Sequence, residues 1–526
     1  MLSKIRFFLK KEVDADLFSL FYSLFNLIYN IPLFIFAAKN LDFHSYGGYA
    51  SFIGLFLAQI SFVYIFLTVF SFIPSLLKII SSILFLSNSV ALYFVCEYNA
   101  VLDKTMMGNV FNTNTGEAGE LIGYKFFIYI FFLGIIPSLS VLALNIKKTS
   151  VIRKIYLLIS IVLAISVFAY LNSKTWLWFD KNSKKIGGLT MPFSYIGNTM
   201  RYFSEKAALN KVPVKLPDAS FENKDKTTVI LVIGESARSS NFSLYGYPRI
   251  TNAYLKNDSV VALPNARSLS TYTTESVAFM LSHLGSQKTK IFYEPLPSYL
   301  QRQGINVFWF SNNWGEPKLD VSYYKKASKL REECGAACGN QNYDSLMIRG
   351  LKEELNKNQS SDNFMVFHLT GSHGPLYSSK YPAEFEVFKP ACKSVDLQKC
   401  SSQELINAYD NTILYTDYFL HEVISFLRSI KKMSSVMIYI SDHGESLGEY
   451  GFYLHGAPYS MAPDFQKNIP FIVWMSDEFK KRRKISDSDF KEIKNLSQDN
   501  IFHSVMGAFL MKSPVYEKSK DIFAKR

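Results

Sequence analysis

Cysteine is scarce in this sequence, with five in a chain of 526 residues. Four of them lie close together in pairs, Cys334 with Cys338 and Cys392 with Cys400, while Cys96 lies inside an apolar segment. Neither pair has the two-residue gap and the second knuckle of a cysteine zinc site, so that kind of site is excluded. We predict instead two local disulfides, Cys334–Cys338 and Cys392–Cys400, formed in an oxidising compartment.

The sequence also lacks any motif that reads DNA or RNA, although its formal net charge is +13. A positive chain favours anionic partners such as phospholipid surfaces or nucleic acid, and without a reading motif we expect no nucleic acid partner. Part of the charge can also serve only to orient membrane helices. Charged residues are few, 19% of the chain, against 48% hydrophobic residues concentrated towards the N-terminal third. That balance points to a membrane-bound part.

Long apolar runs fill the N-terminal third, each close to the ~20 residues that a spanning helix needs. They occupy residues 17–38, 48–70, 72–95, 123–145 and 155–172. We therefore predict that residues 1–172 form a transmembrane domain of five helices. The fifth run is the weakest, because a buried helix of a soluble domain could show the same pattern. The first run is too long for a removable signal peptide and lacks a small-residue cleavage site.

Basic residues predict how these helices are oriented. Four precede the first run, and four more, between residues 147 and 154, separate the fourth run from the fifth. Lysine and arginine stay on the cytoplasmic side, so the N-terminus is expected in the cytoplasm. Five helices then place everything after residue 172 outside, which agrees with the predicted disulfides. Residues 173–220 mix aromatic with basic residues, as in an interfacial linker at the level of the lipid headgroups, although an ordinary packed linker would look similar.

From residue 221 to 526, apolar runs alternate with helical patterns such as 404–427 and 499–510. This alternation predicts an α/β domain with a mostly parallel sheet. Four of its apolar runs lead directly into residues of the ligand type. The runs are 227–233, 305–310, 364–369 and 436–440, followed by Glu235, Asn313, His373, and Asp442 with His443.

These residues should meet, because the carboxyl ends of parallel strands open into one crevice. Zn²⁺ accepts carboxylate oxygens and imidazole nitrogens in tetrahedral geometry. We therefore predict one metal site in which Glu235, Asp442 and His443 supply ligands and a fourth position is left for the reacting group. The alternative is that each residue is only a satisfied polar group at a strand end.

A nucleophile is expected in the segment 268–284, where apolar residues from Val277 onwards have helical spacing. The helix should begin near Thr273 or Thr274. A hydroxyl there meets the positive end of the helix dipole, which favours an oxyanion and a phosphate, and a metal would lower its pKa further. A plain N-cap threonine is the alternative, and it is the stronger one from this segment alone.

With its motifs assembled, the chain resembles the phosphoethanolamine transferases, and among them those acting on lipid A. The resemblance covers nearly the whole chain. The motifs that carry it are Gly234–Arg238, Asn241–Arg249, Gly371–Pro375, Ala408–Asn411, Ser441–Glu449, Tyr453–Pro458 and Ala462–Pro463.

The resemblance implies an alkaline-phosphatase-like (sulfatase-like) fold for residues 221–526, and Thr273 as the catalytic nucleophile. It implies Zn²⁺, one ion tightly bound or two, and a bacterial inner-membrane protein with a periplasmic catalytic domain, expected to be a monomer. Phosphatidylethanolamine would be the donor and lipid A the acceptor. The residues that fall on the family's zinc-ligand positions are Glu235, Thr273, Asp442 and His443.

The resemblance also implies substrate-binding residues. His373 and His455 fall on positions that hold the phosphoryl group or a second zinc. Asn313, Lys318 and Glu445 fall near positions for the ethanolamine phosphate, although Lys318 is shifted by one. The segment 107–118 resembles the family loop that reaches the active site, and its candidates are Asn109, Thr113 and Glu117; from its residues alone it is a polar loop with turns.

The sequence departs from the lipid A type at Ser270, Ala278 and Phe279, where relatives often carry a cysteine pair and a proline around the nucleophile. One disulfide is therefore missing, and the acceptor could instead be a core sugar or a periplasmic protein. A sulfatase or phosphatase on the same fold is a second class of enzyme. Sulfatases need a Cys or Ser two residues before a proline, with an arginine two further on, and the segment around Thr273 lacks this pattern. A glycerol-phosphate transferase of the same fold is the closer rival. A membrane scaffold with a dead catalytic domain would show eroded ligands, and none is eroded.

Overall fold

The computed structural model describes residues 12–113, 119, 121–172, 178–179, 182–209, 212–221, 226–287, 289, 291–394, 397–430, 432–490, 493 and 496–525. The chain divides into two compact units. The first comprises Met1–Met107 and Ile122–Ser204, and the second comprises Gly108–Leu121 and Glu205–Arg526. The basic residues before the first predicted span lie outside the described residues.

The first unit contains four helices that are long and apolar enough to cross a membrane, among the residues described. They are Tyr46–Phe70, Pro74–Tyr98, Tyr124–Ala143 and Val151–Leu171. They correspond to the second to fifth apolar runs, so four of the five predicted spans are confirmed. The third of these helices contains a π-helical stretch, Ile130–Ile135.

The prediction of one spanning helix over residues 17–38 is not confirmed. The structure has two shorter helices there, Ala15–Phe25 and Ile31–Asn40, neither of which reaches the length of a membrane span. Pro32 lies in the first turn of the second helix. Proline lacks a backbone N–H, and its ring would clash with the carbonyl four residues earlier, so the first helix cannot continue through it. Asn26 and Asn30 at the break both donate side-chain hydrogen bonds to the carbonyl oxygen of Met191, at 2.9 and 3.0 Å.

Met191 belongs to the segment predicted as a linker, and this part of the chain packs with the apolar helices. Its helices are Ser183–Leu189 and Phe193–Leu209, and Leu189 and Met191 are buried in the same core as the membrane helices. The first unit therefore extends to Ser204. Lys154, one of the basic residues that predicted orientation, is itself buried and bound to Asp16 at 2.8 Å. A short parallel strand pair, Glu12–Asp14 with Asn145–Lys147, completes the unit.

The second unit is built on a seven-stranded sheet. In chain order its strands are β1 (Thr227–Gly234), β2 (Val261–Leu263), β3 (Asn306–Ser311), β4 (Tyr323–Lys326), β5 (Asn363–His368), β6 (Ser434–Ser441) and β7 (Phe471–Met475). Their order across the sheet is β2-β7-β6-β1-β5-β3-β4. The five strands from β6 to β4 run parallel, and β7 is antiparallel to both of its neighbours. The predicted mostly parallel sheet is confirmed.

Helices cover both faces of this sheet, because its central strands are apolar along their whole length and must be buried on both sides. One core cluster contains Val229 and Leu231 of β1, and the other contains Ile230 and Val232. The helices of this unit are Thr273–Met280, Leu296–Arg302, Ala327–Cys334, Leu346–Lys357, Ser402–Ser429, Asp477–Arg483 and Asn500–Ala508. Lys104–Asn112 is a further helix, across the boundary between the units. Short strand pairs join Ser220–Phe221 to Met511–Lys512, and Ser446–Leu447 to Tyr453–Leu454.

The helical patterns predicted at 404–427 and 499–510 are confirmed as Ser402–Ser429 and Asn500–Ala508. The first begins with a capping box, in which Ser401 and Glu404 satisfy each other's backbone amides. Both predicted disulfides, Cys334–Cys338 and Cys392–Cys400, are present.

Candidate active site

The four strands whose ends carry ligand-type residues are neighbours in the sheet. β6, β1, β5 and β3 lie side by side and run parallel, so their carboxyl ends meet at one edge. Gly234 pairs with Ser441, and each is followed at once by an acidic residue, Glu235 and Asp442. The register of the sheet therefore brings these two carboxylates together, as the sequence predicted.

Glu235, Asp442 and His443 form the centre of the site, and all three are fully buried. His443 Nε2 lies 3.3 Å from Glu235 Oε1 and 3.1 Å from Asp442 Oδ2. His443 Nδ1 donates to the carbonyl oxygen of Gly444 at 3.0 Å, so Nε2 is the ring atom that faces the two carboxylates. This is the arrangement that metal-binding histidines adopt, with the second ring nitrogen held by a carbonyl.

The two buried carboxylates of this centre would be stabilised by a cation between them. Burial and the neighbouring Asp442 raise the pKa of the Glu235 carboxyl well above its ordinary value. Burial would lower the pKa of His443, but Asp442 and Glu235 together raise it to about 10. Asp442 Oδ2 is buried and accepts no hydrogen bond from the described residues. The two carboxylates and the inward-facing imidazole nitrogen fit a divalent metal ion, and one of the carboxylate oxygens, Asp442 Oδ2, has no hydrogen-bond donor among the described residues.

Ser236 fixes the turn that follows β1. Its φ of 54° is uncommon for a residue with a side chain, and its amide donates to Asp442 Oδ1 at 3.0 Å. Its hydroxyl donates to Glu235 Oε1 at 2.8 Å. Tyr409 holds the same turn from behind: its hydroxyl donates to the Ser236 carbonyl at 2.7 Å and accepts from the Arg238 amide at 3.0 Å.

Thr273 is the first residue of the helix Thr273–Met280, where the sequence predicted a helix to begin. Its hydroxyl donates to Glu235 Oε2 at 3.1 Å and lies 3.4 Å from His443 Nε2. Thr273 is buried, with 7% of the residue exposed. A hydroxyl beside the ligand group and at a helix N-terminus is suited to attack phosphorus.

Three histidine rings lie in sequence at the site. The ring centroids of His443 and His455 are 4.2 Å apart, and those of His455 and His373 are 5.2 Å apart. His455 Nδ1 lies 2.9 Å from Glu445 Oε2, while Glu445 Oε1 accepts from the Tyr377 hydroxyl at 2.7 Å. Ligand atoms of Glu235, His443 and His455 all lie within 4.8 Å of one another, which makes His455 a further candidate metal ligand. Burial and then His455 lower the pKa of His373, so its ring is neutral.

Asn313 reaches the centre as expected, whereas Lys318 does not. The Asn313 side chain donates to Glu235 Oε2 and to the Leu369 carbonyl, both at 2.8 Å. Lys318 is exposed and makes no hydrogen bond or ion pair with the site among the described residues. The cation beside Asn313 is Lys326, whose Nζ donates to the Asn313 carbonyl at 3.3 Å. Strand β4 delivers Lys326 to the same edge, a placement that linear spacing could not reveal.

Asn112 lies in Gly108–Leu121, the part of the predicted loop segment that belongs to the second unit. Its side chain donates to Thr274 Oγ1 at 3.3 Å, next to the candidate nucleophile. Of the residues predicted here, Asn109 and Thr113 are bonded to each other, through the Thr113 hydroxyl and the Asn109 carbonyl at 2.7 Å. Glu117 lies outside the described residues.

Sequence analysis missed the residues that support the site from behind. In the sequence, Tyr409 and Tyr377 look like ordinary buried aromatic residues. Their roles are visible only from the hydrogen bonds that their hydroxyls donate, to the Ser236 carbonyl and to Glu445 Oε1. Trp314 was also missed. It follows Asn313 in the sequence, and its ring centroid lies 5.6 Å from that of His373, with an angle of 70° between the ring planes.

Comparison with known proteins gives two family matches. Residues 227–511 match the sulfatase family, and residues 60–207 match the phosphoethanolamine transferase EptA/EptB family. Phosphoethanolamine transferase EptA of Helicobacter pylori is 40% identical over 515 residues, covering 96% of this chain and 95% of that protein. Phosphatidylethanolamine transferase Mcr-1 of Escherichia coli is 31% identical, covering 74% of this chain and 77% of that protein.

A solved structure covers almost the full length. The integral membrane protein lipooligosaccharide phosphoethanolamine transferase A (EptA) from Neisseria meningitidis superposes with a TM-score of 0.88 at 28% sequence identity. The match covers 96% of this chain and 97% of that one. It includes the apolar helices as well as the sheet.

Proposed function

The chain belongs to the phosphoethanolamine transferases of the sulfatase-like superfamily, and on that premise we propose that it moves phosphoethanolamine from phosphatidylethanolamine to lipid A. The donor is supported by the relative named as a phosphatidylethanolamine transferase. The acceptor is supported by the relative named for lipooligosaccharide and by an Escherichia coli relative named Kdo(2)-lipid A phosphoethanolamine 7''-transferase. The four apolar helices and the two disulfides support a bacterial inner-membrane location with the catalytic unit in the periplasm.

One observation carries the mechanism: the Thr273 hydroxyl points its proton at Glu235 Oε2, 3.1 Å away. This hydrogen bond leaves the two lone pairs of the oxygen available, one for phosphorus and one for a metal ion. We propose that Glu235, Asp442, His443 and Thr273 hold a zinc ion. When bound, zinc acts as a Lewis acid that polarises a phosphoryl oxygen and lowers the pKa of the threonine hydroxyl.

In the first step, Thr273 Oγ1 forms a bond to phosphorus as the bond from phosphorus to the glycerol oxygen breaks. The hydroxyl proton leaves towards Glu235 Oε2. The departing diacylglycerol oxygen takes a proton from His455, whose other ring nitrogen is held by Glu445. The helix N-terminus behind Thr273, with His373, meets the charge on the phosphoryl oxygens.

In the second step, a phosphate oxygen of lipid A attacks the phosphothreonine. The bond between Thr273 Oγ1 and phosphorus breaks, the threonine takes back the proton held by Glu235, and the proton of the attacking phosphate hydroxyl passes to His455, which restores the site. The buried position of Glu235 and Asp442 keeps bulk water away from the covalent intermediate, so that transfer competes with hydrolysis.

The test compares Thr273→Ala with Thr271→Ala in the full-length protein. Thr271 is a buried neighbour whose hydroxyl donates to the Ala457 carbonyl at 2.6 Å and does not touch the ligand group. We expect Thr273→Ala to abolish both the covalent adduct found by peptide mass spectrometry and the phosphoethanolamine added to lipid A in cells. Thr271→Ala should keep both. An adduct on Thr271 or Thr274, or transfer at the wild-type rate by Thr273→Ala, would contradict the mechanism.

The acceptor is tested separately, by mass spectrometry of envelope lipids and proteins from cells with and without the gene. Phosphoethanolamine on lipid A that depends on the gene supports the proposal. Phosphoethanolamine found only on core sugar or on periplasmic protein, or a glycerol-phosphate polymer in its place, would replace the acceptor or the transferred group.

A further inference from the structure

The loop after β3 wraps around the nucleophile. At its start, Asn313 donates to Glu235 Oε2, the same oxygen that accepts from Thr273. Two residues later, Gly315 has a φ of +90°, and a Cβ placed on it would lie 3.1 Å from Thr274 Oγ1. Both residues that flank Trp314 therefore contact the immediate neighbours of Thr273.

Trp314 itself is held in place at this position. Its amide donates to the Asn313 side-chain oxygen at 2.8 Å, and its ring packs on His373. The side chain is only partly buried. An indole that is fixed at its backbone, packed on one side and open on another forms part of the wall that a bound substrate meets.

The transferred group supplies the matching chemistry. In a phosphoethanolamine group the ammonium nitrogen lies at most about 5 Å from phosphorus, the distance of the extended chain. When phosphorus approaches Thr273, the ammonium must therefore lie among the residues around Thr273. Tryptophan offers the best aromatic face for a cation within about 6 Å of its ring centre.

The acidic residues of the ligand group and of the histidine row are already engaged by protein groups. Glu235 and Asp442 face His443, and each oxygen of Glu445 has a partner, Tyr377 for one and His455 for the other. On the loop itself, Glu316 Oε1 accepts from the Tyr324 hydroxyl, and its buried Oε2 faces His368 Nδ1 at 3.6 Å without a hydrogen-bond donor among the described residues. We infer that Trp314 is a specificity-determining residue that receives the ammonium of the phosphoethanolamine group on its indole face. This inference rests on the proposed function, since it needs phosphatidylethanolamine as donor.

The experiment measures selectivity between two donors that differ only in the terminal group of the head group, an ammonium or a methyl. The full-length protein in detergent is given mixed micelles of phosphatidylethanolamine or of phosphatidyl-n-propanol, in which a methyl group replaces the ammonium. Release of diacylglycerol gives kcat/KM for each donor. Wild type should prefer the ammonium donor, and Trp314→Leu should reduce that preference about tenfold, the loss of one good cation–π contact. Trp314→Phe should fall between the two.

A structural role predicts a different result. If Trp314 only packs against His373, Trp314→Leu lowers kcat/KM equally for both donors, and the inference is overturned. It is also overturned if the preference survives in Trp314→Leu and is lost in Glu445→Gln. Tyr254→Leu serves as the control for removing an aromatic ring of this unit outside the site, where Tyr254 packs on His421. If wild type releases no diacylglycerol from phosphatidylethanolamine, the proposed function itself fails, and this inference with it.

Discussion

Gly371 lies directly against the backbone of Glu235. A Cβ on Gly371 would stand 2.9 Å from the Glu235 carbonyl oxygen and 3.0 Å from its amide nitrogen. The Ser372 amide donates to that same carbonyl at 2.9 Å. The loop after β5, which carries His373, is thus held against a metal-ligand candidate on β1, and only glycine permits the approach.

Gly371→Ala should therefore displace Glu235 and lower transfer activity at least tenfold. Gly371 also has a positive φ of +51°, so part of any effect comes from backbone strain. Gly246→Ala separates the two causes, because Gly246 has φ +92° and nothing within 4 Å of the position of a Cβ. It should lose some stability and keep its activity. Both variants are compared by thermal unfolding and by diacylglycerol release, and equal activity losses would contradict this account.

Tyr409→Phe should weaken both the fold and the activity. The variant leaves the buried Ser236 carbonyl and Arg238 amide without their partner, at a cost of about 1–3 kcal/mol in the free energy of unfolding. It also loosens the turn that aims Glu235. Tyr415→Phe is the matched control, a buried tyrosine on the same helix whose hydroxyl donates to Ser345 Oγ at 2.9 Å. We expect similar losses of stability, but a loss of transfer only in Tyr409→Phe.

The predictable part of this molecule is what strand order and periodicity determine. Short apolar runs that end in Glu235, Asn313, and Asp442 with His443 predicted neighbouring parallel strands, and the sheet places them so. Thr273 was predicted at a helix start because apolar residues follow it at helical spacing, and the helix begins there. These features depend on local patterns and on one rule of parallel sheets, so the sequence contains them.

The features that could not be predicted depend on contacts distant in sequence. The first apolar run is divided because Asn26 and Asn30 bind the carbonyl of Met191, more than 160 residues away. Hydropathy counts such asparagines as minor interruptions. Lys318 lies one residue from the position that the family resemblance assigns to a substrate-binding lysine. The lysine that contacts Asn313 is instead Lys326, which strand β4 places at the carboxyl edge of the sheet. A single sequence does not show which of two lysines the chain brings back.

The stability of the catalytic unit should fall in acid because of His503. Its Nε2 donates to the His283 carbonyl and its Nδ1 accepts from the Glu517 amide, both at 3.1 Å, so the ring is held neutral. Burial and then Lys520 lower the pKa of His503 to about 4, below its ordinary value near 6.5. Between these two pKa values, the unfolded chain therefore binds a proton at His503 that the folded chain does not bind. This stabilisation is complete above pH 6.5 and is lost as the pH falls towards 4.

The measurement is thermal unfolding of wild type and His503→Gln at pH 7.5, 5.5 and 4.5. Glutamine can donate and accept as the neutral ring does, but it does not titrate. The difference between the two proteins should shrink as the pH falls, by up to about 1.4 kcal/mol per pH unit between the two pKa values. His283 remains in both proteins, so its own titration cancels. A constant difference across this range would show that His503 is not the titrating group.

Asn313 should set the affinity for zinc without taking part in the reaction. Its amide is bound to Glu235 Oε2 and to the Leu369 carbonyl, which fixes the rotation of the carboxylate relative to His443 and Thr273. Partners of this kind, behind a metal ligand, typically change metal affinity by about 10–100-fold. Asn313→Ala should therefore weaken zinc binding by that factor, measured by competition with a chelator. Its transfer activity should be low in limiting zinc and largely recovered in excess zinc.

Thr273→Ala provides the contrast: it should bind zinc with three protein ligands left and stay inactive at every zinc concentration. Activity of Asn313→Ala that does not respond to zinc would mean that Asn313 acts on the substrate and not on Glu235. Full activity of wild type after exhaustive chelation would remove the metal from the mechanism altogether.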